Sequence, residues 1–361
     1  MKAAFLDRDG VINVDKGYVH KIEDFEWVPG IFDLLKYLQE NGYSIFIVTN
    51  QSGIGRGYFT KEDIEKLHTW MLDELKKRGI EIKEIRYCPH KPEDNCPCRK
   101  PKTKMFEDLI EKYGIDITQS IVIGDKERDV IPGKTLGCLT FRICHNDEES
   151  VADFKVKNLR DIIKILEKIK DRKGKLAQIK REHISALENT LSKYSLLILK
   201  IAHQIKEALD NGKKVLIAGN GGSAADAQHF AAELVVRFKR DRKALPCIAL
   251  TTDTSILTAC ANDYSFDDVF SRQIEALGVE GDIFIAISTS GKSKNIIKAI
   301  EVAKNKGLKV FGLTGKDGGD MKDLCECIIV SSNETSVIQE VHEFILHFIA
   351  RCVEDDYLEQ R

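Results

Sequence analysis

Short apolar runs, each closed by a polar or glycine-rich turn and followed by an amphipathic stretch, recur along the whole chain. AAFL (Ala3–Leu6), SIFIV (Ser44–Val48), IVI (Ile121–Ile123) and LTFRI (Leu139–Ile143) occupy the first half. Helical spacing marks Gly30–Asn41, Lys61–Arg78 and Lys104–Tyr113 between them, the second opening on the capping-box-like Thr60-Lys61-Glu62-Asp63. After a helix-rich stretch over Leu176–Leu209, strands are expected at Lys214–Ala218, Cys247–Leu250, Asp282–Ile287, Lys309–Leu313 and Cys325–Val330, with a last helix over Ser336–Glu354. Runs this short, alternating with helices, build parallel sheets covered by helices on both faces, and such sheets bind ligands beyond the carboxyl ends of their strands. The expected class is α/β, with two doubly wound parallel-sheet domains.

At 361 residues the chain is long enough for two separate cores. Leu159–Lys170 reads as a closing helix, and Asp171-Arg172-Lys173-Gly174-Lys175 as a charged, glycine-containing break. The boundary is therefore placed to give domains at 1–170 and 171–361. A net charge of −2 provides no general attraction to nucleic acid or to an anionic membrane. The basic run from Lys155 to Arg181 is interleaved with Asp161, Glu167 and Asp171 and reads as a solvated helix face. No run of eighteen apolar residues predicts a membrane span, and the start MKAAFLDRDG lacks the pattern of a secretory signal, so a cytoplasmic protein is expected.

Chemistry concentrates just past the apolar runs. FLDRDGVIN sets Asp7 and Asp9 beyond the first strand, one carboxylate suited to attack phosphorus and the other to donate and recover a proton. Carboxylates approaching a phosphate need a cation between them, and Mg²⁺ takes oxygen ligands of this kind. VTNQSG supplies Thr49, Asn50 and Ser52 as donors, Lys100 a positive charge, and IVIGDKERD the acids Asp125 and Asp129. CPHKPEDNCPCRKP places Cys88, His90, Cys96 and Cys98 at the spacing of a four-ligand Zn²⁺ site. Four protein ligands leave no open coordination position, so this zinc is expected to pin the loop carrying Arg99 and Lys100 without doing chemistry itself.

In the second half, VLIAGNGGSAADAQHFAAEL is strand, glycine-rich turn and helix, suited to a polyhydroxyl or anionic ligand at the helix start. It is not a dinucleotide fingerprint, because no acid ends the next strand; AISTSGKS likewise has Ala286 where a P-loop needs its first glycine. Ser288-Thr289-Ser290-Gly291-Lys292-Ser293 offers several hydroxyls to a phosphate. His229 and Glu233 share a helical face, as do Gln339 and His347, with His342 between them. Together they offer a carboxylate base, an imidazole acid and metal ligands, the groups that moving a proton between adjacent sugar carbons requires. His68, His183 and His203 have no motif around them and read as ordinary helix residues, and Cys325-x-Cys327 as buried strand.

The order of the first set resembles the haloacid dehalogenase-like phosphatases. DRDGVINVDKGYVH, TNQSGIGRGYFT, CPHKPEDNCPCRKP and GDKERD bring it closest to the heptose-1,7-bisphosphate 7-phosphatases, over about Met1 to Leu166. The resemblance implies Asp7 as the phosphorylated nucleophile, Asp9 as general acid/base, and Mg²⁺ held by Asp7, the Asp9 carbonyl and Asp125. It further implies Thr49 and Lys100 against the phosphoryl group, with Asp15, Lys16, Gly17, Tyr18, Asn50, Gln51, Ser52, Arg99 and Lys126 around the substrate. The cysteine loop is also similar to that of histidinol-phosphate phosphatases, an alternative substrate class.

The second half is similar to the sugar-isomerase fold and most of all to phosphoheptose isomerases, over about Leu176 to Glu354. GNGGSAADAQHFAAEL, ANDYSFDDVFSRQIEALG, STSGKS, LTGKDGG and IQEVHEFILH carry this. It implies Glu233 as base and His347 as acid. Asn220, Gly221, Gly222, Asn262, Asp263, Ser288, Thr289, Ser290, Ser293 and Gln339 would bind substrate, and Zn²⁺ would sit on His229, Glu233, Gln339 and His347, as in some members. Where some relatives carry an aspartate before Gln339, this chain has Ser336. Family members form homotetramers with sites shared between subunits. The two resemblances together imply a bifunctional enzyme of heptose-nucleotide precursor synthesis, for lipopolysaccharide or S-layer glycan. Its substrates are sugar phosphates, and a separate heptose kinase acts between its two steps. The rival from another class makes the second half a non-catalytic sugar-phosphate sensor.

Overall fold

A computed structural model describes residues 1–144 and 148–358. Contacts divide the chain into two compact units, Met1–Lys173 and Gly174–Arg361. The first contains β1 (Lys2–Leu6), α1 (Ile31–Glu40), β2 (Tyr43–Asn50), α2 (Lys61–Lys77), β3 (Ile82–Cys88), α3 (Lys104–Tyr113), β4 (Ile121–Gly124), α4 (Glu127–Leu136), β5 (Leu139–Ile143) and β6 (Phe154–Val156). Its six strands lie in the order β3-β2-β1-β4-β5-β6, all neighbours parallel. The order reverses at β1, and the chain leaves that strand directly into Asp7. Ala3, Ala4, Phe5 and Leu6 are buried on both faces of the sheet. Burying an aliphatic or aromatic side chain of this size stabilises by about 1.5–3 kcal/mol, so β1 firmly anchors the acidic loop at its carboxyl end.

The helix α5 (Leu159–Asp210) corrects the expected break at Asp171–Lys175, because it runs through those residues without interruption. A single glycine among good helix formers costs only about 1 kcal/mol, and neither a proline nor a cap stands there to end the helix. Two strands escaped the sequence reading: β3 is a half-exposed edge strand, and β6 is three residues long. The helix α4 was hidden by Pro132-Gly133, which reads as a breaker yet lies buried inside the helix with Val130.

The second unit adds β7 (Val215–Ala218), α6 (Gly222–Val235), β8 (Cys247–Ala249), α7 (Thr254–Asp263), α8 (Ser271–Leu277), β9 (Ile283–Ser288), α9 (Lys294–Asn305), β10 (Lys309–Gly315), α10 (Met321–Leu324), β11 (Glu326–Val330) and α11 (Thr335–Leu358). Its parallel sheet has the order β11-β10-β9-β7-β8, reversing between β9 and β7. Separate apolar clusters fill its two faces, one with α6 and α11 and the other with α8 and α9. Among the described residues, no helix is long and apolar enough to cross a membrane.

Candidate active sites

In the first unit Asp7 emerges from β1 buried, and Lys100 is buried beside it. Lys100 Nζ lies 2.9 Å from Asp7 Oδ1 and 2.8 Å from Asp129 Oδ1, and donates to the Val48 carbonyl at 2.7 Å. A buried ammonium between two carboxylates satisfies charges that would otherwise be costly to bury. Burial pulls the Lys100 pKa down, but Asp129 and Asp7 outweigh it and hold the amine above its ordinary range. Burial, reinforced by Asp129, pushes the Asp7 carboxyl up to about 6, and burial together with Asp7 and Asp129 pushes Asp125 up to about 7. Ligand oxygens of Asp7, Asp125 and Asp129 all lie within 4.8 Å of one another. Three mutually repelling carboxylates, with Asp125 Oδ1 buried and without a hydrogen-bond partner, fit a hard divalent cation. Gly10, at φ +90°, makes room for this cluster: a Cβ there would stand 2.4 Å from the Asp125 carboxyl group.

Asp9 points elsewhere. Its carboxylate accepts from Arg8 Nη2 at 2.9 Å and from the side-chain amides of Asn13 and Gln51, each at 3.0 Å. Arg8 is fully buried, donates to the Val19 carbonyl at 2.7 Å, and has His68 Nε2 3.2 Å away. Burial, then Arg8, lowers the His68 pKa to about 3, so its ring is neutral. The sequence reading missed both. The signal was an arginine locked between two aspartates in DRD; His68 joins it only through the fold.

Asn50 is tied to the lysine loop. Its amide forms two 3.1 Å bonds with the Lys100 backbone, one each way. Thr49 is buried and accepts from Gln51 Nε2 at 3.0 Å. Asp9, Asp15, Gly17, Tyr18, Asn50, Gln51, Ser52, Arg99 and Lys126 do line one cavity of about 340 Å³, joined by Arg56 and Arg128, which the sequence reading left out. Lys126 pairs with Asp15 at 2.5 Å across it. Lys16 is not among the lining residues and pairs with Glu26 at 2.9 Å.

The cysteine loop closes on itself. Sulfur–sulfur separations among Cys88, Cys96 and Cys98 are 3.2 to 3.4 Å, and His90 Nδ1 lies 3.3 Å from Cys98 Sγ and 3.6 Å from Cys88 Sγ. A tetrahedron with Zn–S bonds of about 2.3 Å has edges of about 3.7 Å; the sulfurs stand a few tenths of an ångström closer, and three thiols with one imidazole are a donor set that zinc takes. Arg99 Nη1 donates to the His90 carbonyl at 3.0 Å, tying the loop to the cavity wall.

In the second unit, β7 ends in the glycine turn and α6 carries His229 and Glu233. His229 Nε2 lies 3.1 Å from Glu233 Oε1. From α11, His347 brings its ring centroid to 4.8 Å from that of His229, the two rings at 87°. Ligand atoms of His229, Glu233 and His347 fall within 4.8 Å of one another, a nitrogen and oxygen set that suits zinc. Gln339 packs on the turn: a Cβ on Gly222 would meet its Nε2 at 2.3 Å, so the glycine lets the Gln339 amide come this close. His342 is a correction. It turns from the Gln339–His347 face, is fully buried, and has Nε2 3.0 Å from the Thr314 carbonyl; burial lowers its pKa to about 4. The residue facing the site is instead Glu343, whose Oε1 lies 2.5 Å from His229 Nδ1 and 3.2 Å from His347 Nε2. Its signal was available, since Gln339, Glu343 and His347 are spaced four apart.

The loops around this cluster are tied together. Asn220 exchanges two side-chain hydrogen bonds with Asn295, of 3.0 and 2.9 Å. Ser288 and Ser293 hydroxyls meet at 2.9 Å, and the Ser290 hydroxyl accepts from the Lys292 amide at 3.2 Å. Asn262 and Asp263 end α7 exposed and bond each other at 2.8 Å.

Comparison with known proteins places this arrangement. The SIS domain family model matches residues 180–315. The phosphoheptose isomerase of Campylobacter concisus is 54% identical over 181 residues, 49% of this chain and 96% of its own length. The chain belongs to the phosphoheptose isomerase family. That membership rests on the second unit, which is also 58% identical over 160 residues to the phosphoheptose isomerase of Aneurinibacillus thermoaerophilus (44% of this chain, 81% of that protein). The first unit lies outside what these isomerases cover. It matches the polynucleotide kinase 3 phosphatase family model over residues 2–156, so the chain joins a phosphatase-family unit to an isomerase-family unit. Among solved structures, the D,D-heptose 1,7-bisphosphate phosphatase of B. bronchiseptica, complexed with magnesium and phosphate, is 28% identical. It covers 46% of this chain and 99% of its own, with a TM-score of 0.43.

Proposed function

We propose that the chain is a bifunctional enzyme of heptose-nucleotide precursor synthesis. Its second unit interconverts sedoheptulose 7-phosphate and D-glycero-D-manno-heptose 7-phosphate. Glu233 takes a proton from carbon 1 of the ketose and returns it to carbon 2, while His347 passes a proton between the two oxygens of the enediol. Asn220–Gly222, Asn262, Asp263, Ser288–Ser290, Ser293 and Gln339 surround the sugar phosphate. Zinc held by His229, Glu233, Gln339 and His347 would polarise those oxygens. The observation that carries this reading is the identity of 54% spanning nearly a whole isomerase, with a carboxylate and two imidazoles gathered at one point.

The first unit removes the 7-phosphate of D-glycero-D-manno-heptose 1,7-bisphosphate. Asp7 attacks phosphorus, the departing sugar oxygen takes a proton from Asp9, and Asp9 then takes one from the water that cleaves the aspartyl-phosphate. Thr49 and Lys100 stabilise the phosphoryl oxygens, and Arg8 keeps Asp9 aimed. Mg²⁺ on Asp7, the Asp9 carbonyl and Asp125 would offset charge between carboxylate and phosphate. Because a kinase must act between the two reactions, the fusion co-supplies activities and does not pass one intermediate along. We place the enzyme in the cytoplasm as a homotetramer built through the isomerase unit.

Phosphate release from separate α and β heptose 1,7-bisphosphates, beside conversion of sedoheptulose 7-phosphate, tests both halves. Release from histidinol phosphate alone would overturn the first assignment. Binding of sedoheptulose 7-phosphate without conversion would overturn the second in favour of a sensor. One tightly held zinc per chain should disappear with Cys96→Ser while phosphatase activity still requires added Mg²⁺.

A further inference from the structure

We propose that Glu343 is a positioning residue of the isomerase-family site, holding His229 in the tautomer that carries its proton on Nδ1. This rests on the proposed function, in which His229, Glu233 and His347 gather around a cation.

Glu343 Oε1 lies 2.5 Å from His229 Nδ1, so that nitrogen donates and the carboxylate accepts. In a neutral ring, Nε2 is then a lone pair, and it faces Glu233 Oε1 at 3.1 Å. Two acceptors at that distance repel unless a cation stands between them. Glu343 thereby converts a histidine and a glutamate on one helical face into half of a metal pocket. The same Oε1 lies 3.2 Å from His347 Nε2, and so aligns the ring that completes the cluster. A carboxylate behind a ligating imidazole is the arrangement that fixes tautomer and ring direction and raises ligand basicity at zinc sites. Glu343 Oε2 is buried without a hydrogen-bond partner, and Asp226 Oδ2, also buried, is in the same condition.

The test uses the full chain with ring-¹⁵N-labelled histidine, assigned with His229→Gln, and the Glu343→Leu variant. Before zinc is added, nuclear magnetic resonance of the wild type should show His229 as the Nδ1–H tautomer, and Glu343→Leu should lose that signature. Competition against a chromogenic chelator should show the zinc at this site bound about 10–100-fold more weakly in Glu343→Leu, with the cysteine-loop zinc unchanged. An Nε2–H ring in the wild type, an unchanged His229 signal in the variant, or unchanged zinc affinity at this site would each overturn the proposal. If the wild type binds zinc only at the cysteine loop, the metal reading fails and the tautomer alone decides the role of Glu343. Should Glu343→Leu fail to fold, Glu343→Ala carries the same two measurements.

Discussion

The two sites of this chain solve one problem in opposite ways. The first lies where its parallel sheet reverses strand order and the second between α6 and α11, and both gather acids that would repel one another. The first unit buries its charge, setting Lys100 between Asp7 and Asp129 with almost no exposure. Among the described residues, no lysine pairs with the acids of the second. That site disperses its charge over partly exposed imidazoles and carboxylates, with His229 touching Glu233 and Glu343. The difference tracks the chemistry. A phosphoryl group brings several negative oxygens and needs permanent positive charge, whereas moving a carbon-bound proton needs groups that give and take protons. A buried, paired site should therefore be brittle, and an exposed, shared one tolerant.

The sharpest way to break this comparison is to disable each centre alone. Asp7→Asn should lower phosphate release by on the order of 10⁴-fold or more and leave sedoheptulose 7-phosphate conversion unchanged. Glu233→Gln should do the reverse, by about 10²–10⁴-fold. Steady-state rates of both reactions on each variant check this. A variant that abolishes both would show that the sites are not independent.

Brittleness is measured on Lys100. Lys100→Met strands Asp7 and Asp129 as uncompensated buried charges and should destabilise the first unit by about 3–5 kcal/mol. No single substitution in the second site strips a buried pair, so His229→Gln should cost far less. Urea unfolding followed by tryptophan fluorescence reads the first unit, which holds both tryptophans, Trp27 and Trp70. Circular dichroism reads His229→Gln.

The pH response sharpens the same contrast. Asp7 and Asp125 bind protons more tightly folded than unfolded, with values of about 6 and about 7 against an ordinary 3.8. Between pH 4 and 7 the folded state thus holds the extra protons, and stability falls as pH rises through that window. Without Mg²⁺ the first unit should lose on the order of 4 kcal/mol between pH 5 and pH 8. Saturating Mg²⁺, which stands in for those protons, should flatten the curve. Thermal unfolding across pH with and without Mg²⁺ checks it, and a curve unaffected by Mg²⁺ would contradict a cation on Asp7 and Asp125.

Legibility in the sequence divides along the same line between local and distant. Strand ends such as Asp7, Asp125 and Ser288 could be read because an apolar run fixes where a parallel strand stops. His229 with Glu233 could be read because helical spacing fixes which side chains share a face. Arg8 with His68, or Asn220 with Asn295, could not, since those partners lie sixty and seventy-five residues apart and only the fold joins them. Lys100 was recognisable as a cation but not as a buried one, and Asn50 as a cavity residue but not as the partner of the Lys100 backbone. The uninterrupted α5 was missed for an energetic reason: one glycine is a weak breaker, and long-range packing decides.

Asn50 gives the smallest of these effects and the finest test of the comparison. Its amide clamps the Lys100 backbone through two hydrogen bonds of 3.1 Å. Asn50→Ala removes both, at about 0.5–1.5 kcal/mol each. Lys100 Nζ would still be held by Asp7, Asp129 and the Val48 carbonyl. If buried charge pairing is what fixes the lysine, phosphate release should fall only about tenfold, mostly in kcat. The sugar isomerisation should not change. A loss as large as that of Lys100→Met would mean instead that the backbone clamp sets the position of the ammonium. The first site would then resemble the second, with hydrogen bonds to neighbours, and not buried charge, aiming its reactive groups.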